Sequence, residues 1–172
     1  MLADKRRLVL FSDSPEAEEV FRSSPEVQTG KRLFFRYEGG EPDHDPELLP
    51  LNGEMLRAVS GRVIPQSFWE KDSDFLQRGK GFCLLREGRP AGWAFSAAVS
   101  STELDIGVET APSYQRQGLA KRAAGELIRF ALETGRRPVW ACAATNTGSR
   151  RTAEKLGFVR CGSCLTFQKR QI

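Results

Sequence analysis

The chain has 172 residues, is 40% hydrophobic and 28% charged, and carries a formal net charge of +4. This balance is typical of one soluble globular domain that is large enough to bury a core. No run of about 18 apolar residues occurs, which excludes a membrane-spanning helix. The four apolar residues 8–11 are too few for a secretory signal. We therefore expect a cytoplasmic protein with no membrane partner.

Positive charge is concentrated towards the carboxyl terminus. From residue 112 onward there are 12 basic and three acidic residues, whereas residues 1–86 hold 13 basic and 15 acidic ones. A basic end on a near-neutral chain suggests a polyanionic partner, such as nucleic acid or a phosphate-bearing cofactor. A solvated basic face explains the same distribution.

The cysteines and the only histidine do not form a recognisable site. Cys161 and Cys164 have metal-type spacing without a second such pair, so zinc and redox sites are disfavoured and no metal is expected. Cys83 and Cys142 complete the set, and all four are expected to be reduced thiols. His44 lies in a loop that we expect to be acidic and exposed, which disfavours Ser-His-Asp chemistry.

The first sixty residues predict an N-terminal elaboration of a single domain over 1–172. We expect a strand over 7–11, then a short helix capped by Ser14 with Pro15 at its first position. A strand over 31–37 and a turn-rich stretch over 39–46 follow. Short helices are predicted over 52–59, capped by Asn52, and over 72–77.

The second half of the chain has clearer patterns. Strands over 82–86 and 91–99 form a hairpin, and a third strand covers 102–110. A long amphipathic helix over 118–134 precedes a buried strand over 138–142. A helix over 147–156 and a strand over 158–168 complete the order β-β-β-α-β-α-β. This order predicts a mixed α/β fold with a parallel crossover.

The segment before the long helix carries the strongest chemical signal. A helix start presents unpaired N–H groups and the positive end of the dipole, where phosphates bind. Gly118 lets a phosphate approach the backbone, and side-chain donors surround it at Gln115, Arg116, Gln117 and Lys121. Small residues that cap and pack a helix explain the same pattern. No GxxxxGK[ST] or GxGxxG motif is present, which disfavours nucleoside triphosphates and dinucleotides.

Two motifs resemble the GNAT superfamily of N-acetyltransferases. Gln115-x-x-Gly118-x-Ala120 resembles its Q/R-x-x-G-x-G/A loop, and the segment 146–158 is similar to its N-x-x-A/S-x-x-x-x-E-K-L-G-F helix. The resemblance covers residues 82–167. It extends more weakly to 67–69 and 79–82, which are similar to a bacterial branch that includes antibiotic self-resistance acetyltransferases.

The resemblance implies a GNAT-type mixed central sheet, flanked by helices, with an acetyl-CoA-binding core over 82–168. Acetyl-CoA would lie where the strands 102–110 and 138–143 splay apart. Its pantetheine arm would pair with the backbone near Val108 and Thr110, and its pyrophosphate would lie on the amides of 116–120. The implied contacts are Val108, Thr110, Gln115, Arg116, Gln117, Gly118, Leu119, Ala120, Lys121, Asn146 and Ser149, with Arg150 and Arg151 as further phosphate ligands.

Acetyl transfer to an amine needs a group that accepts a proton. We expect Glu109 first, then Asp105 and Glu103, although each is also explained as an ordinary strand carboxylate. The family's tyrosine acid is replaced by Ala153. Ser149, one turn earlier, is expected to substitute, or the thiolate leaves unaided.

The predicted function is N-acetyl transfer to a primary amine of a small molecule or peptide, by a monomer or homodimer. The alternatives are an enzyme that acts on aminoacyl-tRNA and a non-catalytic regulator that binds CoA or nucleic acid. The acceptor is not apparent from the sequence. Phe68, Trp69 and Phe75 are expected either to line its pocket or to belong to the core.

Overall fold

A single sheet of eight strands runs through the computed structural model, which describes residues 9–170. The strands are β1 (Val9–Ser12), β2 (Val27–Tyr37), β3 (Leu49–Pro50), β4 (Gly81–Arg86), β5 (Arg89–Val99), β6 (Glu103–Thr110), β7 (Arg137–Ala143) and β8 (Phe158–Lys169). The helices are α1 (Pro15–Arg22), α2 (Gly53–Ala58), α3 (Asp72–Arg78), α4 (Leu119–Glu133) and α5 (Thr147–Leu156). Short 3-10 turns cover Pro65–Ser67 and Pro112–Tyr114.

The strand order is β1-β8-β2-β7-β6-β5-β4-β3, and β6 and β7 are the parallel pair. The remaining neighbours are antiparallel. The predicted mixed α/β class and its parallel crossover are therefore confirmed. The N-terminal part contributes more than the sequence indicates, because β2 lies between β7 and β8 in the middle of the sheet.

Two hydrophobic clusters lie on opposite faces of the sheet. The α4 face carries Leu33, Leu104 and Trp140, which pack against α4 and α5. The α2 face carries Trp93 and Phe95, which pack against α2 and α3. Because α2 and α3 lie over β5, the α2 face of β7, β2 and β8 stays half-buried or exposed, as at Phe34, Ala141 and Val159.

Local signals placed most elements correctly. Ser14 and Asn52 cap α1 and α2 through their side chains, as predicted, and Pro15 begins α1. The strand predicted over 7–11 is observed as Val9–Ser12, while residues 7 and 8 lie outside the described part of the chain. Strand β2 begins four residues before the predicted start, at Val27. No helix within residues 9–170 has the length and apolar character needed to cross a bilayer.

The loop over 41–47 lies against α4 through ionic contacts. Glu126, on α4, is only 2% exposed and accepts hydrogen bonds from Arg129 Nη2 (2.6 Å) and the Asp45 N–H (3.1 Å). His44 Nδ1 lies 3.0 Å from the same carboxylate, and Arg122 Nε donates to Asp45 at 2.6 Å. The loop is largely exposed, as expected, but it is tied to the helix rather than free.

The charge of Glu126 stabilises this contact. Burial alone would raise the pKa of Glu126, but the hydrogen bonds from Arg129, the Asp45 N–H and His44 lower it below its ordinary value of 4.5. The ionised form therefore contributes stability above pH 4.5, and this contribution is lost as the pH falls through the lowered pKa of the folded state.

We predict that Glu126→Gln lowers the free energy of unfolding by about 1–3 kcal/mol at pH 7, because buried donors lose a charged acceptor. The deficit should shrink as urea unfolding is repeated at pH values below 4.5. Glu133→Gln is the matched control, since Glu133 pairs with the same Arg129 at the surface and should change stability by less than about 1 kcal/mol. A deficit for Glu126→Gln that is constant with pH would contradict the assignment.

Candidate functional site

The parallel pairing of β6 and β7 is short. It joins Glu103 to Arg137, Leu104 to Pro138 and Asp105 to Val139, and then stops. Beyond this point β6 continues along β5 as far as Thr110, while β7 continues along β2 as far as Ala143. The two strands therefore diverge towards their carboxyl ends and enclose a gap, which confirms the predicted splayed pair.

The β6 edge of this gap consists of unpaired backbone groups. The Thr102 carbonyl accepts from the Arg137 N–H at 2.8 Å, whereas the Ala111 N–H donates to Ala91 across β5 at 2.9 Å. Alternate residues of a strand turn their backbone groups to the same edge. Val108 and Thr110 therefore point their N–H and C=O groups into the gap, beyond the last residue pair with β7.

The same alternation of backbone groups determines which residues of β7 face the gap. The Ala144 N–H donates to the Lys31 carbonyl on β2 at 2.8 Å, so Ala141 and Ala143 turn their backbone groups away from β2 and towards the gap. Arg32 Nη2 reaches the Ala141 carbonyl at 3.3 Å. Arg32 is thus a site residue that the sequence did not indicate. Its position depends on the pairing of β2 with β7, and it stands 109 residues from Ala141 in the chain.

The loop between β6 and α4 leaves the start of α4 open. Arg116 and Gly118 have φ angles of 63° and 78°, in the left-handed region that favours glycine. Apart from Gly118 and its two chain neighbours, no described residue has an atom within 4 Å of where a Cβ on Gly118 would stand. No side chain caps α4 and its first turn holds no acidic residue, whereas α1, α2 and α5 are capped by side chains. The first N–H groups of α4 are therefore available to an anion.

The side chains that surround this helix start are accessible. Gln115, Arg116, Gln117 and Lys121 are exposed, while Leu119 is buried beneath them. Tyr114 is half-buried and packs against the α4-face core. The loop thus presents backbone and side-chain donors together at one end of the gap.

The start of α5 flanks the same open end of the gap. Asn146 Oδ1 accepts from the Ser149 N–H at 3.0 Å, which leaves the amide nitrogen of Asn146 for other contacts. Ser149 Oγ accepts from Trp140 Nε1 at 3.0 Å. Ala153, at the position of the family's tyrosine, is fully buried. The Ser149 hydroxyl, proposed to replace that tyrosine, is already held by the Trp140 indole.

Glu109 holds a loop against β6. Its carboxylate accepts from the Arg62 N–H at 2.9 Å and from the Val63 N–H at 2.7 Å. Gly61 makes this approach possible, because a Cβ at Gly61 would overlap the carboxylate. Glu109 is therefore already engaged by backbone donors on the α2 face.

Asp105 lies where the gap begins. The sequence placed Glu109 nearest the splay, but the register opens the strands four residues earlier, after Asp105 and Val139. Burial raises the pKa of the Asp105 carboxyl, although Arg32 and the Ile106 N–H partly offset this effect. Glu103, the third candidate, forms a surface ion pair with Arg137 at 3.0 Å.

The remaining candidates are structural or lie at the surface. Phe75 is 1% exposed and stacks edge-on against Phe95, so it belongs to the core. Trp69 Nε1 donates to the Ser96 carbonyl at 2.8 Å, whereas Phe68 is 49% exposed. Arg150 lies 3.9 Å from Glu154, and Arg151 is exposed.

The four cysteines are free thiols. Cys83 and Cys142 are buried, and burial raises the pKa of Cys83 to about 11, which makes this thiol unreactive. Cys161 and Cys164 lie on β8, exposed and half-buried. Within residues 9–170, no group of three or more potential metal ligands comes together.

Comparisons with known proteins agree with this geometry. A family model described as GNAT acetyltransferase matches residues 4–164. An uncharacterized N-acetyltransferase of Bacillus subtilis, YjdG, is 43% identical over 142 residues, which cover 80% of this chain and 77% of the relative. A GCN5-related N-acetyltransferase-like protein from Streptococcus suis has a similar fold, with TM-score 0.78, 23% identity, and coverage of 94% of this chain and 71% of that one. A GNAT-family protein of Novosphingobium aromaticivorans has TM-score 0.70 and 20% identity, with coverage of 96% and 75%.

Proposed function

The chain belongs to the GNAT N-acetyltransferases, and we propose that it transfers the acetyl group of acetyl-CoA to a primary amine of a small molecule or peptide. The observation that carries this proposal is the strand gap, because it opens onto the uncapped start of α4. Together these features offer unpaired strand groups for an amide-bearing chain and free N–H groups for phosphates. The narrower resemblance to self-resistance enzymes stays a prediction.

The residues around the gap suit the parts of acetyl-CoA. Val108 and Thr110 would pair with the amides of the pantetheine arm, as another strand would. The N–H groups of residues 116–120 would hold the pyrophosphate, with Lys121 and Arg151 as exposed cations for the 3′-phosphate. The amide nitrogen of Asn146 would donate from the opposite side of the gap. The bound donor supplies a thioester that an amine can attack.

The protein's main chemical task is then to accept a proton from the amine. We assign this role to Asp105, because it lies at the apex of the gap and burial raises its pKa, which makes its carboxylate a stronger base. Glu109 is committed to the N–H groups of Arg62 and Val63, so we assign it to holding the loop. Ser149 lies near the gap, but a thiolate with a pKa near 8.5 leaves without help near neutral pH.

We predict that Gly118→Glu abolishes acetyl-CoA binding in calorimetry, because the side chain would place a negative charge where the phosphates bind. Gly88→Glu is the matched control. Gly88 has a φ angle of 74° and equally open surroundings, in the turn between β4 and β5. The substitution at Gly88 therefore imposes the same backbone strain, but away from the site. Unchanged affinity in folded Gly118→Glu would overturn the loop assignment, and binding without turnover of any amine would favour the non-catalytic alternative.

We predict that Asp105→Asn lowers kcat by about 10²–10⁴ at neutral pH, since the base is lost while the shape is kept. The loss should shrink at high pH, where the acceptor amine is already neutral. Thiol release with a panel of amines measures the rate. Asp105→Asn should be at least as stable as the parent protein at pH 7, because burial of the ionised carboxylate opposes folding above its pKa.

Glu109→Gln is the comparison variant. It should reduce kcat by less than about tenfold, the effect of a loosened loop rather than of a missing base. The opposite pattern, with a large loss in Glu109→Gln and none in Asp105→Asn, would restore Glu109 as the base. Normal turnover in both variants would show that water or the substrate carries the proton.

A further inference from the structure

Arg32 places a guanidinium group beside the gap. It stands on β2 opposite Ala143 of β7 and on the α2 face, where α2 and α3 do not extend. Its Nη2 donates to the Ala141 carbonyl, one of the groups that the divergence of β6 and β7 leaves without a strand partner. The side chain therefore crosses β7 towards β6 and ends at the gap.

This guanidinium is half-buried and has spare hydrogen-bonding capacity. An arginine carries five N–H donors, and one hydrogen bond from the Arg32 side chain is seen to the residues that the structure describes. Within residues 9–170, Arg32 has no carboxylate within ion-pair distance, whereas Arg36, Arg122, Arg129 and Arg137 each have one. Arg32 therefore keeps N–H donors that a ligand carboxylate could use.

Asp105 supplies the opposite charge nearby. Arg32 is close enough to lower the pKa of Asp105 in part, yet among residues 9–170 the two side chains form no ion pair. Asp105 and Arg32 thus place one anionic and one cationic group on the α2 face, near the point where β6 and β7 diverge. An ammonium group suits Asp105, and a carboxylate suits the planar fork of Arg32.

We propose that Arg32 binds the carboxylate of the acceptor, so that the acceptor is an amino acid whose amine lies at Asp105. This inference rests on the proposed acetyl transfer and adds the substrate class. A polyamine or a simple alkylamine would bring a further cation or an apolar group to Arg32. An amino acid neutralises both side chains at once, which favours it over these amines.

The test compares three acceptors that share one side chain: an amino acid, its amide and the decarboxylated amine. The parent protein should prefer the acid to the amide by roughly 10–100-fold in kcat/KM, mainly through KM, as expected for charge-assisted hydrogen bonds. Arg32→Gln should reduce this ratio to near one, and Arg32→Lys should restore part of it. Arg36→Gln is the matched control, because Arg36 lies on the same strand and pairs with Glu38 at the surface; its ratio should match the parent protein's.

Three results would overturn the inference without affecting acetyl transfer itself. The first is equal use of the acid and the amide by the parent protein. The second is an acid-to-amide ratio of kcat/KM that is unchanged in Arg32→Gln. The third is an Arg32-dependent preference for succinyl-CoA over acetyl-CoA. The last result would place the recognised carboxylate on the acyl group instead.

If none of the three acceptors reacts, the Arg32 inference is tested by binding alone, and the amine panel tests the proposed acetyl transfer separately. Calorimetry with CoA present would then compare an N-acetyl amino acid with its amide. Tighter binding of the acid that depends on Arg32 supports the inference, and equal affinity overturns it.

Discussion

The parallel ladder between β6 and β7 stops after Asp105 and Val139, and the rest of the site depends on that point. Strands that begin side by side are drawn apart because β6 follows β5 while β7 follows β2. The backbone groups beyond the ladder cannot be left unpaired in a core. They face a gap instead, and the helices that follow both strands begin at its open end. The divergence thus brings a strand edge and a free helix start to one place.

The two faces of the sheet have different surroundings. In the proposed reaction, this difference would separate the binding of acetyl-CoA from the binding of the acceptor. On the α4 face, α4 and α5 cover the strands, and the uncapped N-terminus of α4 offers N–H groups that suit a phosphate. On the α2 face, α2 and α3 cover β5 but leave β7 and β2 accessible. Asp105 and Arg32 lie on this more open face. In the proposed reaction, the donor and the acceptor would therefore reach the gap from opposite faces of one sheet.

The sequence predicts where each helix and strand lies along the chain better than it predicts which elements lie side by side in the fold. Helix α4 was expected over 118–134 and is observed as Leu119–Glu133, because its apolar periodicity and its flanking glycines are local signals. The insertion of β2 between β7 and β8 depends on pairing between distant segments, which no local pattern records. For the same reason Arg32 was missed. Strand β3 has two residues and is too short to show the alternation of apolar and polar residues that predicts a strand.

At the candidate site, too, local features were predictable from the sequence, whereas contacts between distant segments were not. The loop at Gly118 can be proposed as a phosphate site from its residue types, because the chemistry of a helix start is local. The choice between Glu109 and Asp105 required the register of β6 against β7, and that register moved the apex of the gap by four residues. The contacts of Glu109 with Arg62 and Val63 likewise join segments that are distant in sequence.

Residue-resolved amide hydrogen exchange, with and without saturating acetyl-CoA, tests the central claim most directly. The N–H groups of Val108 and Thr110 point into the gap, whereas those of Gly107 and Glu109 point to β5. If acetyl-CoA pairs with β6 as another strand would, exchange at Val108 and Thr110 should slow on binding, while Gly107 and Glu109, already paired, should change little. Unchanged exchange at Val108 and Thr110 in the saturated protein would contradict the assignment of the gap as the donor site.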